Sequence, residues 1–193
     1  NVNPNLYRLE VIFNNNNPYN VTFGIRSVDV SPEEGFRIND ERVILKGACI
    51  HHDNGLLGSM GHPFSEKRKV EILKRAGYNA IRSAHNPASK ALLDACDELG
   101  MLVLDEYVDM WYIHKNIYDY ADKMSLWWKE DLKDMVDKDF NHPSVIMYSI
   151  GNEVAETSEE KGIKLTEEMT EYLKKLAISA RLAFLILFKR KNS

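Results

Sequence analysis

Four short groups of polar residues each follow an apolar stretch of the sequence. They are His51-His52-Asp53, His85-Asn86, Asp105-Glu106 and Asn152-Glu153. Carboxylates and histidines can transfer protons, and amides can hold the hydroxyl groups of a substrate. In the last group an amide and a carboxylate stand side by side, directly after the apolar run 145–150. This arrangement is a candidate for acid/base chemistry.

The elements that must position these residues alternate regularly from Lys46 onwards. Strand patterns occur in KGACIHHD, YNAIRSAHN, MLVLDEY and SVIMYSIGNE, and a helical pattern follows each of them. Four successive βα units predict a parallel sheet with right-handed crossovers, and nearly continuous apolar strands are typical of a sheet covered on both faces. The carboxyl ends of such strands form the active-site face of (β/α)8 barrels and of open α/β sheets. We therefore expect the four polar groups to converge.

Local signals predict where the helices begin and end. Ser65 is a candidate N-cap for the first helix, with Gly77 as its stop. Thr157 and Glu160 have the spacing of a capping box before the fourth helix. In the third helix, apolar residues keep helical spacing as far as Phe140.

The N-terminal part has a different pattern. Residues 6–13 and 20–30 predict a β-hairpin with NNNNP as its turn, and SPEEG (31–35) has the composition of a linker. A second, short hairpin is expected around Asn39-Asp40. Since a two-stranded hairpin has too little apolar face to be stable alone, we assign residues 1–31 to the last strands of a β-sandwich domain. Residues 32–193 form the second domain.

Composition excludes several functional classes. The chain has 193 residues, 44% of them hydrophobic, and its formal net charge of −4 comes from mixed charges without a basic stripe or a phosphate-binding glycine loop. We expect no nucleic-acid partner. Cys49 and Cys96 lie in apolar patterns and are expected to be buried free thiols. Free thiols and the absence of a signal sequence in NVNPNLYRLEV favour a cytoplasmic location.

Two segments resemble the signature regions of glycoside hydrolase family 2: NAIRSAHNP (79–87) and DFNHPSVIMYSIGNE (139–153). FGIRSVDV, LKGACIHHDNGLLG and LDEYVDMW also look like family sequence, in the expected order. The family contains β-galactosidases, β-glucuronidases and β-mannosidases, and this chain is most similar to its β-galactosidase-like members. The resemblance implies an α/β fold, namely about four βα units of a (β/α)8 TIM barrel preceded by strands of an immunoglobulin-like domain. It also implies retaining hydrolysis of a β-linked carbohydrate.

The resemblance implies a role for each candidate residue. In a retaining glycosidase one carboxylic acid protonates the leaving oxygen, while a second carboxylate attacks the anomeric carbon. Glu153 corresponds to the family's acid/base, and Asn152 would bind the sugar hydroxyl next to the anomeric centre. Arg82 would orient the nucleophile, since its planar fork suits a carboxylate. The other substrate-binding candidates, which would line the same pocket, are His85, His51, Asp53 and Trp111.

Simpler interpretations exist for some of these residues. A carboxylate after a strand can be the N-cap of the next helix, and Arg82 could pair with a buried acid such as Asp105. His51 and His52 point to opposite faces of a strand, so they do not chelate one ion easily. We expect no metal or other cofactor. Some family members hold a divalent ion near the acid/base, but their ligands are not clearly matched here. Tyr148 stands where the family motif usually has Trp.

The family nucleophile is a Glu on a later barrel strand, which the four βα units do not reach. A whole barrel takes roughly 250 residues. We therefore expect negligible turnover from this chain alone. The alternatives are an inert fragment with residual sugar binding or self-association, and an enzyme specific for β-glucuronides or β-mannosides. Open sheet edges predict a homo-oligomer.

The tail after Leu176, AISARLAFLILFKRKNS, does not resemble the family continuation. It is interpreted as an altered end, or as a fifth strand through LAFLILF. Seven apolar residues are far fewer than the roughly 20 that a membrane-spanning helix needs, so no membrane anchor is expected.

Overall fold

The computed structural model describes residues 4–14 and 17–180, in which nine strands and four α-helices follow one another. The strands are β1 (Tyr7–Val11), β2 (Tyr19–Phe23), β3 (Val28–Ser31), β4 (Gly35–Ile38), β5 (Glu41–Arg42), β6 (Gly47–His51), β7 (Ala80–Ala84), β8 (Leu102–Glu106) and β9 (Val145–Ser149). The helices are α1 (Pro63–Arg75), α2 (Lys90–Leu99), α3 (Ala121–Asp139) and α4 (Glu160–Ala180).

The last four strands form one parallel sheet in the order β6-β7-β8-β9, with a helix after each strand. This confirms the predicted series of βα units. The register places His51 beside Ala84 and Glu106 beside Ser149, so the carboxyl ends of all four strands lie at the same end of the sheet. The largest core cluster joins the sheet to the helices, with fully buried members such as Val70, Leu93, Val103, Leu132, Val145 and Leu173.

The N-terminal strands form two small antiparallel sheets, β1-β2 and β3-β4-β5. The prediction of one strand over 20–30 is wrong, because the chain breaks pairing after Phe23 and begins a new strand at Val28. Gly24 lies in this break, and a Cβ there would be only 2.5 Å from Cγ of Pro143. Only glycine fits such a close approach to the loop before β9.

SPEEG is the turn of the β3-β4 hairpin, so its interpretation as a linker is also wrong. The next turn, at Asn39-Asp40, is confirmed: both residues have positive φ angles, 50° and 65°, and connect β4 to β5. Positive φ at two adjacent turn residues suits the twist of a tight hairpin. Apolar residues of this sheet pack against the parallel sheet, where Val28, Phe36 and Ile38 reach the cluster that contains Ile146 and Met147.

Two predicted helix starts are corrected. α1 begins with Pro63 in its first turn after His62, whose side chain makes no capping bond, and Ser65 Oγ donates instead to Asn54 Oδ1 at 2.7 Å. Pro suits this position because its φ is already helical and its missing N–H would be unpaired. Before α4, Thr157 Oγ1 donates to the carbonyl of Val154, so no capping box forms. Phe140, at the end of α3, is 52% exposed and does not join the core.

The cysteines are both free thiols, but only Cys96 is buried. Exposed and partly buried residues alternate along β6, and Cys49 lies on the exposed face of this strand. None of the helices among the described residues is long and apolar enough to cross a membrane. The interpretation of LAFLILF as a strand concerns residues 182–188, which lie outside the described residues.

Candidate active site

A buried carboxylate, Glu106 at the end of β8, lies at the centre of the polar strand ends. It is 0% exposed, and its Oε2 accepts hydrogen bonds from Arg82 Nε at 2.9 Å, Arg82 Nη2 at 2.5 Å and Ser149 Oγ at 2.7 Å. Its Oε1 lies 2.7 Å from His85 Nδ1. A charge buried this deeply requires such partners. Glu106 therefore joins β7, β8 and β9 at their carboxyl ends.

Arg82 connects this carboxylate to the Asn-Glu pair. Its Nη2 also donates to Asn152 Oδ1 at 2.9 Å, and Asn152 Nδ2 donates to Asp109 Oδ1 at 2.9 Å. Burial lowers the pKa of Arg82, but the hydrogen bonds and charge of Glu106 outweigh this effect, so the pKa lies above its ordinary value. Asn152 is only 9% exposed, and both its Oδ1 and its Nδ2 are hydrogen-bonded. The orientation of that amide is thus fixed.

Glu153 follows on the turn after β9 and is exposed. Its φ is +46°, in the left-handed region that non-glycine residues adopt uncommonly. Such conformations cluster at functional sites, where surrounding contacts hold them. The exposed carboxylate thus lies on a backbone turn that is unusual for this residue type. The turn is at the carboxyl ends of the strands, where the active sites of parallel sheets lie.

The structure corrects the role predicted for Trp111. Its side chain is 1% exposed, so it offers no face to a sugar ring, and its Nε1 donates to the carbonyl of Ile150 at 2.8 Å. A Cβ at Gly151 would lie 2.8 Å from the same Nε1. Trp111 therefore packs under the turn that carries Glu153. Its apolar ring is buried because a large aromatic surface stabilises the fold when removed from water.

His51 and His85 lie together, while Asp53 stabilises a turn. The ring of His51 lies perpendicular to that of His85 with centroids 5.4 Å apart. His52 points elsewhere, with its Nε2 3.1 Å from the carbonyl of Pro87. Asp53 Oδ1 accepts from the backbone N–H of Gly55 at 2.9 Å. Among the residues that the structure describes, no group of three or more His, Cys, Asp or Glu side chains could hold a metal ion.

Glu106, rather than Asp105, is the partner of Arg82. Asp105 faces the other side of the sheet, where it accepts from the backbone N–H of Ala88 at 2.7 Å and from Lys138 Nζ at 3.2 Å. Side chains alternate between the two faces of a strand, and Arg82 pairs with Leu104, which has the same parity as Glu106. This alternation was the signal that could have identified Glu106. Nothing comparable in the sequence marks Asp109.

Comparisons with known proteins agree with this architecture. Residues 28–184 match the family model of the glycosyl hydrolases family 2 TIM barrel domain. A β-galactosidase of Bacteroides ovatus is 44% identical over 138 residues, which are 72% of this chain and 16% of that protein. A β-glucuronidase of Paenibacillus borealis is 31% identical over 170 residues, 84% of this chain and 27% of that protein.

A solved structure of a glycosyl hydrolase family 2 member from Bacteroides cellulosilyticus has a TM-score of 0.87 and 44% sequence identity to the chain. The match covers 95% of this chain and 24% of that one. The chain thus spans between 16% and 27% of these three proteins. It belongs to glycoside hydrolase family 2, and its βα units are part of the family's TIM barrel domain.

Proposed function

We propose that the chain supplies the acid/base side of a retaining β-glycosidase active site, with Glu153 as the acid/base. The observation that carries the proposal is the position of the exposed Glu153 next to the fixed amide of Asn152. Both lie at the carboxyl ends of the strands, where Arg82 and His85 contact Glu106. In this role the Glu153 carboxylic acid protonates the glycosidic oxygen as the bond breaks. The carboxylate then takes a proton from the water that releases the sugar.

The second carboxylate of the mechanism needs a free oxygen about 5 to 5.5 Å from the first. Glu106 is unsuited to that role, because it is 0% exposed and both of its oxygens have close partners. The proposal therefore places the nucleophile outside the described residues. Arg82 is charged and its guanidinium lies beside Asn152, so it would help to orient the nucleophile. It follows that the chain alone has negligible turnover.

The proposed substrate class is the β-galactosides, supported by the 44% identity to a β-galactosidase. A putative β-glucuronidase of Formosa agariphila is 41% identical over 134 residues and the Paenibacillus borealis β-glucuronidase is 31% identical, so β-glucuronides are the second candidate. His85 and His51 would bind sugar hydroxyls. An inert fragment that keeps only sugar binding or self-association is the alternative from a different functional class.

The test uses 4-nitrophenyl β-galactoside and 4-nitrophenyl β-glucuronide with two proteins. The first is the chain itself. The second is a hybrid in which residues 28–176 replace the matching segment of the Bacteroides ovatus β-galactosidase. We expect no turnover by the chain and hydrolysis of the galactoside by the hybrid. Glu153→Gln in the hybrid should reduce kcat by about 100-fold or more, because general acid–base catalysis contributes at least that much.

Added azide should restore turnover of the Glu153→Gln hybrid, since this anion attacks the glycosyl-enzyme without a general base. The product would be β-galactosyl azide. Glu159→Gln is the matched control, because Glu159 is exposed and lies on the same loop. A Glu153→Gln hybrid as active as the control would refute the acid/base assignment. Turnover by the chain alone would show that a second carboxylate is present within it or its oligomer.

A further inference from the structure

The loop between β8 and α3, residues 107–120, is braced by its own polar contacts. Asp119 Oδ2 accepts from the backbone N–H groups of Lys115 at 2.7 Å and Asn116 at 2.9 Å. His114 lies between two carboxylates, with Nδ1 2.8 Å from Asp119 and Nε2 3.0 Å from Asp122. These contacts fix the backbone from which the Lys115 side chain projects.

Lys115 extends from this loop to the turn after β9. Its Nζ donates to the backbone carbonyl of Asn152 at 2.6 Å and to Asp109 Oδ1 at 2.9 Å. The same Asp109 oxygen accepts from Asn152 Nδ2. Lys115 thus holds the main chain of Asn152, and Asp109 holds its side chain. Lys115 and Asp109 also form an ion pair with each other. The two Lys115 contacts have no part in the proposed acid/base chemistry.

The carbonyl that Lys115 binds belongs to the peptide group joining Asn152 to Glu153. The φ of Glu153, +46°, describes how this peptide is turned relative to the Glu153 Cα. A non-glycine residue stays in the left-handed region only where its surroundings hold it there. Burial alone would raise the pKa of Asp109, but the hydrogen bonds from Lys115 and Asn152 hold it below its ordinary value, so this anchor remains charged.

We infer that Lys115 is a positioning residue which, with Asp109, fixes the Asn152-Glu153 turn and so sets the direction of the Glu153 carboxyl. The catalytic meaning of this inference rests on the proposed function. The link between Lys115, Asp109 and the Asn152-Glu153 turn does not depend on that function. Lys115 acts through the backbone of Asn152 and the carboxylate of Asp109, rather than by contact with substrate.

The test is NMR spectroscopy of the isotopically labelled chain, with the variants Lys115→Met, Lys115→Arg and Lys123→Met. The Cα and Cβ shifts of Glu153 report its left-handed backbone, and the side-chain NH2 signals of Asn152 report its bond to Asp109. Lys115→Met should shift both sets of signals and raise the measured pKa of Asp109. Lys115→Arg keeps the positive charge and the N–H donors, so its signals should lie closer to those of wild type than the Lys115→Met signals do. Lys123 is exposed and close in sequence, so its variant should change neither.

A second variant, Asp109→Asn, perturbs the same contacts from the other partner and decides the question if Lys115→Met does not fold. Unchanged Glu153 and Asn152 signals in the folded variants would overturn the inference. No glycosidase assay enters this experiment. If Glu153 proved not to be catalytic, the link between Lys115 and the turn would still be measured, so failure of the inference and failure of the proposed function are distinguishable.

Discussion

At the scale of single residues, the strand-end cluster depends on one carboxylate that cannot reach water. Glu106 is 0% exposed, accepts from Arg82 and Ser149, and lies 2.7 Å from His85 Nδ1. Removing one member of a buried ionic cluster costs more than the pair contributed, because the remaining charge is left without a partner. The orientation of Arg82, and through it of Asn152, follows from this carboxylate.

Glu106→Gln should therefore destabilise the chain although it preserves volume. The amide presents an N–H to a site that offers mostly donors, and we expect the free energy of unfolding to fall by about 2–3 kcal/mol. Urea denaturation followed by circular dichroism measures the difference. Glu159→Gln, at an exposed position, should stay within about 0.5 kcal/mol of wild type. Equal stability of both variants would mean that Glu106 does not hold the cluster together.

At the scale of elements, three polar side chains link the C-terminal end of α3 to β8, beside the apolar core that the two elements share. Lys138 pairs with Asp105 and with Asp139, and both carboxylates are 0% exposed. Burial raises the pKa of Asp139, and the nearby Asp105 adds to this effect against the opposing charge of Lys138, giving a pKa of about 8. The folded chain therefore keeps a proton on Asp139 to a higher pH than the unfolded chain does.

This protonation predicts a pH dependence of stability. An unfolded Asp has a pKa of about 3.9, so between about pH 4 and pH 8 the folded state binds a proton that the unfolded state does not. The stabilising contribution is fully present below pH 4 and is lost as the pH rises through 8. Asp139→Asn keeps the neutral form, and its stability relative to wild type should rise by about 1 kcal/mol or more from pH 5 to pH 8.

Urea denaturation at pH 5, 6.5 and 8 measures this relative change. Asp137→Asn is the matched control, because Asp137 is exposed and lies on the same helix. Parallel curves for wild type and Asp139→Asn would contradict the raised pKa.

At the scale of the whole molecule, the parallel sheet ends in two edge strands, β6 and β9, within the described residues. β6 and β9 each pair with one neighbouring strand there. A strand edge with unpaired N–H and C=O groups is a template for pairing with another chain. We therefore propose that the isolated chain self-associates through these edges. Sedimentation velocity over a range of concentrations should show a dimer or larger species, and a well-folded monomer at every concentration would contradict this.

The sequence by itself determined the series of βα units, the polar strand ends and the family. These features depend on local periodicity, on turn residues and on two long signature segments, all of which can be read without knowing which segments meet. The sheet order β6-β7-β8-β9 then follows from parallel pairing of consecutive strands. Arg82, His85 and Asn152 were identified in the same way and lie together.

Only the tertiary structure decided which partners these residues have. Arg82 selects Glu106 rather than Asp105 because neighbouring residues of β8 face opposite sides of the sheet. Trp111, which was expected to line the sugar pocket, is buried under the turn that carries Glu153. Lys115 reaches the carbonyl of Asn152, 37 residues away, through a loop without regular periodicity. The reason is physical: strand and helix patterns are local, whereas the side chain of a loop residue is placed by contacts that arise only when the chain has folded.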